Sequence, residues 1–335
     1  VKVAVLGGGS WGTALAAHLA RGGHRPLLWM RDPARARELN ERHASPRYLP
    51  GVELPGELSA TAHLEEAVDG ADTVLVAVPS AFCRDFYRRL APLLAPGASL
   101  VSATKGLEEG TLLRMSELSE EEAPGHPVAV LSGPSFALEV AQGQPTTVVV
   151  ASRDEGRAAA VQRAVSTRTF RAYTSTDVIG VELGGALKNV IAIAAGITDG
   201  LGYGQNTLAA LITRGLAEMG RLAAAMGARA DTLAGLAGLG DLVLTCTGGL
   251  SRNRRVGQAL GRGLTLAEAL RGLGDAEDGG HPVAEGVRTT PAACALAARA
   301  GVEMPIAFQM QAVLRGEKAP RVAVDELMLR SLKRE

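Results

Sequence analysis

The feature that most restricts the fold of this chain is its beginning. A short apolar run, Val3–Leu6, passes directly into Gly7-Gly8-Gly9-Ser10-Trp11-Gly12 and then into an Ala-rich helical pattern at 12–21. Glycines at this spacing acquire a specific meaning between a strand and a helix. Gly7 permits the tight turn, Gly9 lets a pyrophosphate approach the backbone, and Gly12 lets helix and strand pack closely. The helix start adds unpaired N–H groups and the positive end of its dipole. Glycine-rich turns also serve as plain connections, but the strand and helix on either side favour a dinucleotide site.

The rest of the first half continues the same rhythm. Apolar, β-branched runs at 26–30, 73–78, 99–103, 128–131, 147–150 and 169–172 alternate with amphipathic segments such as 33–42 and 82–94. That alternation predicts α/β architecture, a Rossmann-type doubly wound, mostly parallel sheet. After about Asp177 the texture changes to helical patterns rich in Ala, Leu and Gly, at 181–195, 207–226, 230–236, 252–261, 265–270, 288–300, 305–314 and 322–333. A dinucleotide-binding domain over 1–180 and an all-α C-terminal domain over 181–335, carrying substrate and catalysis, are therefore expected.

Composition removes several classes of function. The formal charge is zero and aromatics make up 3%, so neither nucleic acid nor an anionic membrane is an expected partner. No uncharged apolar run reaches the roughly 20 residues needed to span a bilayer, and no leader pattern precedes the first strand. Cys83, Cys246 and Cys294 lack CxxC spacing, and His18, His24, His43, His63, His126 and His281 lack ligand spacing. Disulfides and metal are thus not expected, and a cytoplasmic setting is.

Residues that follow the predicted strands fall at the carboxyl edge of the sheet, where ligands bind in such folds. Arg31 comes just past the second strand and suits a 2′-phosphate through bidentate contacts, so NADPH is expected to be preferred or accepted, with NAD open. Asp32 suits either the ribose or the N-cap of the helix at Pro33. Lys105 and the Gly133-Pro134-Ser135 turn lie at the same edge; the turn by itself is compatible with a simple connection.

In the second half, VELGGALKNVIAIAAG at 181–196 predicts an apolar helix with one lysine, Lys188, sharing a face with Gly184, Ala192 and Ala195. The chain has five lysines against thirty arginines, so a lysine here points to a need for a titratable amine. The plainer alternative is a lysine that snorkels to solvent. Further on, GLGDL at 238–242 and TCTGGLSRNRR at 245–255 place Ser251, Arg252 and Asn253 at a helix start, either a phosphate cradle or a solvated basic helix end.

Taken together, GGGSWGTALA, SATKGLE, LSGPSFALEV, ELGGALKNVIAIAAG, LAGLGDLVLTC and SRNRRVG resemble bacterial NAD(P)-dependent glycerol-3-phosphate dehydrogenase, in that order and over nearly the full chain. The resemblance implies reversible reduction of dihydroxyacetone phosphate to sn-glycerol 3-phosphate for phospholipid synthesis, by a homodimer. It implies dinucleotide contacts from Ser10, Trp11, Arg31, Tyr48, Lys105, Ala137, Arg252, Val283 and Glu285, beside the glycine turn. It implies substrate contacts from Lys105, Gly133, Ser135, Lys188, Asp241, Ser251, Arg252 and Asn253, with Lys188 as general acid and base. On this reading burial and the cation Lys105 depress the Lys188 pKa, while Asp241 orients the ammonium and opposes part of that depression. Two rivals are a β-hydroxyacid dehydrogenase, which would want a carboxylate site in place of SRNRR, and a non-catalytic NAD(P)H sensor, which would need no buried lysine.

Overall fold

A computed structural model describes residues 2–274 and 284–331. The chain divides into two compact units: Val1–Lys105 with Leu113–Glu182, and Gly106–Leu112 with Leu183–Glu335.

The first unit is built on an eight-stranded sheet. Its strands are β1 (Val3–Leu6), β2 (Leu27–Trp29), β5 (Ser59–Thr61), β6 (Thr73–Val76), β7 (Ser99–Ser102), β8 (Val128–Ser132), β9 (Thr146–Ala151) and β10 (Phe170–Ser175), while β3 (Ala44–Ser45) and β4 (Leu49–Glu53) form a separate antiparallel pair. The order across the large sheet is β10-β9-β8-β7-β6-β1-β2-β5, and every pair is parallel except β8 with β9. Every residue of β1, β6 and β7 is buried, as parallel strands covered on both faces require. The covering helices are α1 (Ser10–Arg21), α2 (Pro33–Arg42), α3 (Leu64–Val68), α4 (Cys83–Leu90), α5 (Met115–Glu122), α6 (Ala137–Ala141) and α7 (Glu155–Val165). They close two cores, one around Leu15, Leu19, Leu28 and Val161, the other around Val74, Phe86, Tyr87 and Leu100.

Two expectations need correction. The helix expected at 82–94 is α4 flanked by 3₁₀ turns at Ser80–Phe82 and Ala91–Leu93, because Pro92 cannot continue an α-helix. The β3–β4 pair, β5, α3, α5, α6 and α7 were not anticipated.

Helix α8 (Val178–Gly200) begins in the first unit and continues into the second. Its 23 residues are apolar enough to cross a membrane by length, but 94% of its most apolar window is buried in protein, which makes it a core helix. Around it the second unit holds α9 (Gln205–Ala225), α10 (Ala230–Ala234), a π-helical turn at Leu236–Gly240, α11 (Asp241–Thr247), α12 (Arg252–Gly261), α13 (Leu266–Arg271), α14 (Glu285–Ala300), α15 (Pro305–Leu314) and α16 (Pro320–Met328). Among the described residues after β10 there is no strand.

Candidate active site

The glycine turn is shaped by close backbone approach. Gly7 has φ +120°, and a Cβ there would lie 2.7 Å from the Ala77 carbonyl oxygen, so a side chain is excluded both by strain and by contact. A Cβ on Gly12 would lie 1.9 Å from the Gly7 carbonyl oxygen, which is how α1 starts directly over the end of β1. At Gly9 nothing lies within 4 Å of the Cβ position. No side chain caps α1, so the N–H groups of its first turn stand open at the end of β1. An uncapped helix start beside open space is a donor set matched to a diphosphate, so these residues fit a dinucleotide. Trp11 is held in place by its indole N–H, which donates to the Ala103 carbonyl at 3.2 Å.

Because β1, β2, β6, β7 and β8 all run the same way, their carboxyl ends form one edge, and the residues that follow them are neighbours in the fold. Arg31 is exposed just beyond β2. Asp32 accepts from Ala34 N at 2.9 Å and pairs with Arg35 at 3.2 Å, so of its two sequence readings the structure contains the cap. The guanidinium groups of Arg35 and Arg47 lie over the Tyr48 ring, 5.7 and 5.6 Å from its centre. After β7, Lys105 Nζ donates to the Gly133 carbonyl at 3.1 Å, and the Ser135 hydroxyl donates to the same oxygen at 3.0 Å. Gly133 has φ +140° and its Cβ would meet Val148 Cα at 2.9 Å, so this turn also demands glycine. Ala137 opens α6.

In the second unit Lys188 is 7% exposed and Asp241 0%. Lys188 Nζ donates to Asp241 Oδ1 at 2.5 Å and to Thr245 Oγ1 at 2.7 Å, and the Thr245 hydroxyl donates to the Asp241 carbonyl at 2.6 Å. Lys188 therefore does not snorkel. A carboxylate this deep is tenable only beside a cation, and Lys188 is that cation. On the helix stripe it shares, Gly184 lets the Leu236–Gly240 turn approach: a Cβ there would lie 2.4 Å from the Ala237 carbonyl oxygen. The small residues thus admit the protein's own backbone, which delivers Asp241 to the lysine. Cys246, next to this group, has its thiol pushed up to about 12 by burial and remains protonated.

Ser251 is the N-cap of α12, accepting from Arg254 N at 3.2 Å. Arg252 is exposed. Enough protein surrounds its guanidinium that desolvation lowers the pKa, with Glu285 opposing. Asn253 is committed on both sides of its amide, donating to Asn189 Oδ1 at 2.9 Å and accepting from Gly286 N at 2.9 Å. One amide hydrogen of Asn253 is left for a ligand. These bonds bring the residue after Lys188, the start of α12 and the Glu285–Gly286 start of α14 into one buried group. Val283 lies outside the described residues. Thr245 and Asn189 were not singled out from sequence; the first is four residues after Asp241 on one helix face, and the second is adjacent to Lys188.

A parallel sheet with an uncapped glycine turn, followed by a helical unit with a buried lysine–carboxylate pair, defines a dinucleotide-dependent oxidoreductase. Two family models match, the NAD-dependent glycerol-3-phosphate dehydrogenase N-terminus over residues 2–158 and its C-terminus over residues 177–325. The chain belongs to the NAD-dependent glycerol-3-phosphate dehydrogenase family. It is 53% identical to glycerol-3-phosphate dehydrogenase [NAD(P)+] of Nitratidesulfovibrio vulgaris strain DP4, covering 100% of both chains, and 52% identical to the enzyme of the same name from Geobacter sulfurreducens, covering 100% of this chain and 98% of that one. Among solved structures it is similar to glycerol-3-phosphate dehydrogenase from Coxiella burnetii, with a TM-score of 0.92 and 42% identity, covering 98% of this chain and 99% of the other. This membership separates the chain from the β-hydroxyacid dehydrogenase and sensor readings.

Proposed function

We propose that the chain catalyses the reversible reduction of dihydroxyacetone phosphate to sn-glycerol 3-phosphate with NAD(P)H, and that Lys188 is the proton donor and acceptor. The nicotinamide cofactor, when bound, supplies or accepts the hydride. Gly7, Gly9, Ser10, Trp11 and Gly12 would hold its diphosphate, with Arg31, Tyr48, Lys105, Ala137, Arg252 and Glu285 as further contacts.

The observation that carries the reading is the buried Lys188–Asp241–Thr245 group. As negative charge builds on the substrate carbonyl oxygen, an ammonium within reach donates its proton to it. Asp241 fixes the ammonium's direction and favours its charged form, while burial favours the neutral amine that the reverse reaction needs. Ser251, Arg252 and Asn253 at the start of α12 bind the substrate phosphate, and Lys105, Gly133 and Ser135 complete the substrate contacts. Binding of this non-reacting phosphate holds the carbonyl for reaction.

The chain acts in the cytoplasm, a reading supported by Cys83, Cys246 and Cys294, which are buried and not joined in disulfides. It works as a homodimer joined through the helical unit. In the first half of α9 no residue of 205–214 is buried, although Leu208, Leu211 and Ile212 lie there, and sedimentation of the purified chain at two subunits' mass checks this.

Lys188→Ala is expected to abolish dihydroxyacetone phosphate reduction, followed as NADPH oxidation, while leaving the NADPH Kd nearly unchanged. Full turnover in that variant removes Lys188 from the chemistry. Arg252→Ala chiefly raises the KM for dihydroxyacetone phosphate, and an unchanged KM would mean that the phosphate sits elsewhere.

A further inference from the structure

We propose that Glu182 is a positioning residue for the reaction, clamping the start of α8 so that Lys188 is presented in a fixed place. The inference rests on the reading of Lys188 as proton donor.

Glu182 is 9% exposed and Arg114 4%, so both charges of this pair are buried. Arg114 Nη1 donates to Glu182 Oε2 at 2.6 Å, Ser116 N to Oε1 at 2.8 Å and the Ser116 hydroxyl to Oε2 at 2.6 Å. Arg114 also pairs with Glu117 at 2.7 Å. The carboxylate of an α8 residue is therefore held by the first residues of α5 and the arginine just before it. Burial raises the Glu182 pKa, and Arg114 with the two Ser116 donors opposes the rise.

Such a group is a costly way to stabilise a fold, because apolar residues of similar volume in place of a buried ion pair are often neutral or stabilising. A positional role explains its presence better. Glu182 precedes Lys188 by six residues on the same helix, about 9 Å along the axis at 1.5 Å per residue. Between them stand Gly184 and Gly185, which are poor helix formers and the kind of pair at which helices kink. Gly184 cannot be exchanged for a better helix former, since the Ala237 backbone occupies the space of its Cβ. The helix is intrinsically weak just before its catalytic lysine, and the Glu182 clamp holds the turn on the far side of that weak point. Asp177, whose carboxylate accepts from Gly180 N at 2.9 Å, fixes the same turn from its other end.

The test is the pair of variants Arg114→Met/Glu182→Leu and Glu182→Asp, in the full chain. The double variant removes both charges and fills their volume but leaves the buried Ser116 N–H and hydroxyl without their acceptor, so the chain is expected to stay folded with a Tm lowered by several degrees. Its kcat for dihydroxyacetone phosphate reduction is expected to fall about tenfold or more, as for a misplaced catalytic group, with a shifted pH midpoint of kcat, while the NADPH Kd and the substrate KM change little. Glu182→Asp keeps the charge on a shorter arm and is expected to fall between the two in kcat at near-parental Tm. Parental kcat and an unmoved pH midpoint in either folded variant would overturn the proposal. Full turnover in Lys188→Ala would instead sink the proton-donor reading, so the two failures are distinguishable.

Discussion

The helix carrying Lys188 and the helix that opens with Ser251–Asn253 touch backbone to backbone, and one methyl group placed there separates packing from propensity. A Cβ on Gly257 would lie 2.0 Å from the Ile193 carbonyl oxygen and 2.9 Å from Gly196 Cα; reciprocally, one on Gly196 would lie 2.0 Å from the Arg254 carbonyl oxygen. The same meeting recurs one turn on, where a Cβ on Gly261 would lie 2.5 Å from the Ile197 carbonyl oxygen. Carbon-to-carbonyl contacts settle at about 3.3 Å or more, so Gly257→Ala forces α8 and α12 apart by about 1 Å. Neither partner is a side chain that can turn away, so the cost lies toward the upper end of the roughly 1–3 kcal/mol typical of overpacking. Alanine's better helix propensity returns at most about 1 kcal/mol, leaving a net loss of about 2 kcal/mol. Gly220→Ala in α9 makes the same chemical change where nothing lies within 4 Å, so only the propensity gain of up to about 1 kcal/mol remains. At about 2–4 °C per kcal/mol, calorimetry should show Tm falling by about 4–8 °C for Gly257→Ala and rising by about 2–4 °C for Gly220→Ala. The KM for dihydroxyacetone phosphate should rise only in the first. Equal Tm shifts of the same sign would refute the close-packing argument.

Glu218 is buried on α9 and accepts from Ile306 N at 2.8 Å at the start of α15; burial raises its pKa to about 7 against the bonds from Ile306 and Ala307 and the charges of Arg221 and Arg330. A raised folded pKa means stability that is complete below about pH 4.5 and lost as pH rises through about 7, on the order of 3 kcal/mol; unfolding midpoints across that window should therefore slope less in Glu218→Gln, and identical slopes would contradict it. Arg31→Ala should raise the KM for NADPH about tenfold while leaving that for NADH nearly unchanged, as expected of one charge-assisted contact to a 2′-phosphate. Asp32→Ala should cost about 1 kcal/mol through the lost cap and leave NADH affinity unchanged; weaker NADH binding would give Asp32 a ribose contact.

Elements whose signal is carried by side chains along one stretch were legible in the sequence. The strand-turn-helix of Val3–Leu6 and α1 follows from glycine spacing, the α2 cap from Asp32-Pro33, and α8 from an apolar run too long for a strand. The strand pairings that escaped were set by neighbours remote in sequence, whereas α7 carries a local N-cap in Asp154. β4 contains Pro50 and Gly51, which argue against a strand until its pairing with β3 is known, and nothing local marks β8 and β9 as antiparallel. The helix expected at 230–236 stops at Ala234, and Gly238 and Gly240 lie in a π-helical turn, Leu236–Gly240, where a Cβ on Gly238 would lie 2.1 Å from the Leu233 carbonyl oxygen.

The lysine–aspartate pair shows where local pattern and elementary electrostatics meet. Its members are 53 residues apart, so no spacing rule joins them. Asp241 nevertheless falls at the head of an apolar segment, LVLTC, and a carboxylate buried there without a cation would be prohibitively costly. The chain has five lysines, and one of them, Lys188, stands in an equally apolar helix with the same need. Two buried opposite charges, each untenable alone, constrain each other's position more tightly than hydrophobic periodicity constrains either; their pairing was legible only through the family resemblance carried by ELGGALKNVIAIAAG and LAGLGDLVLTC, and no periodicity marks the helix contacts that support it.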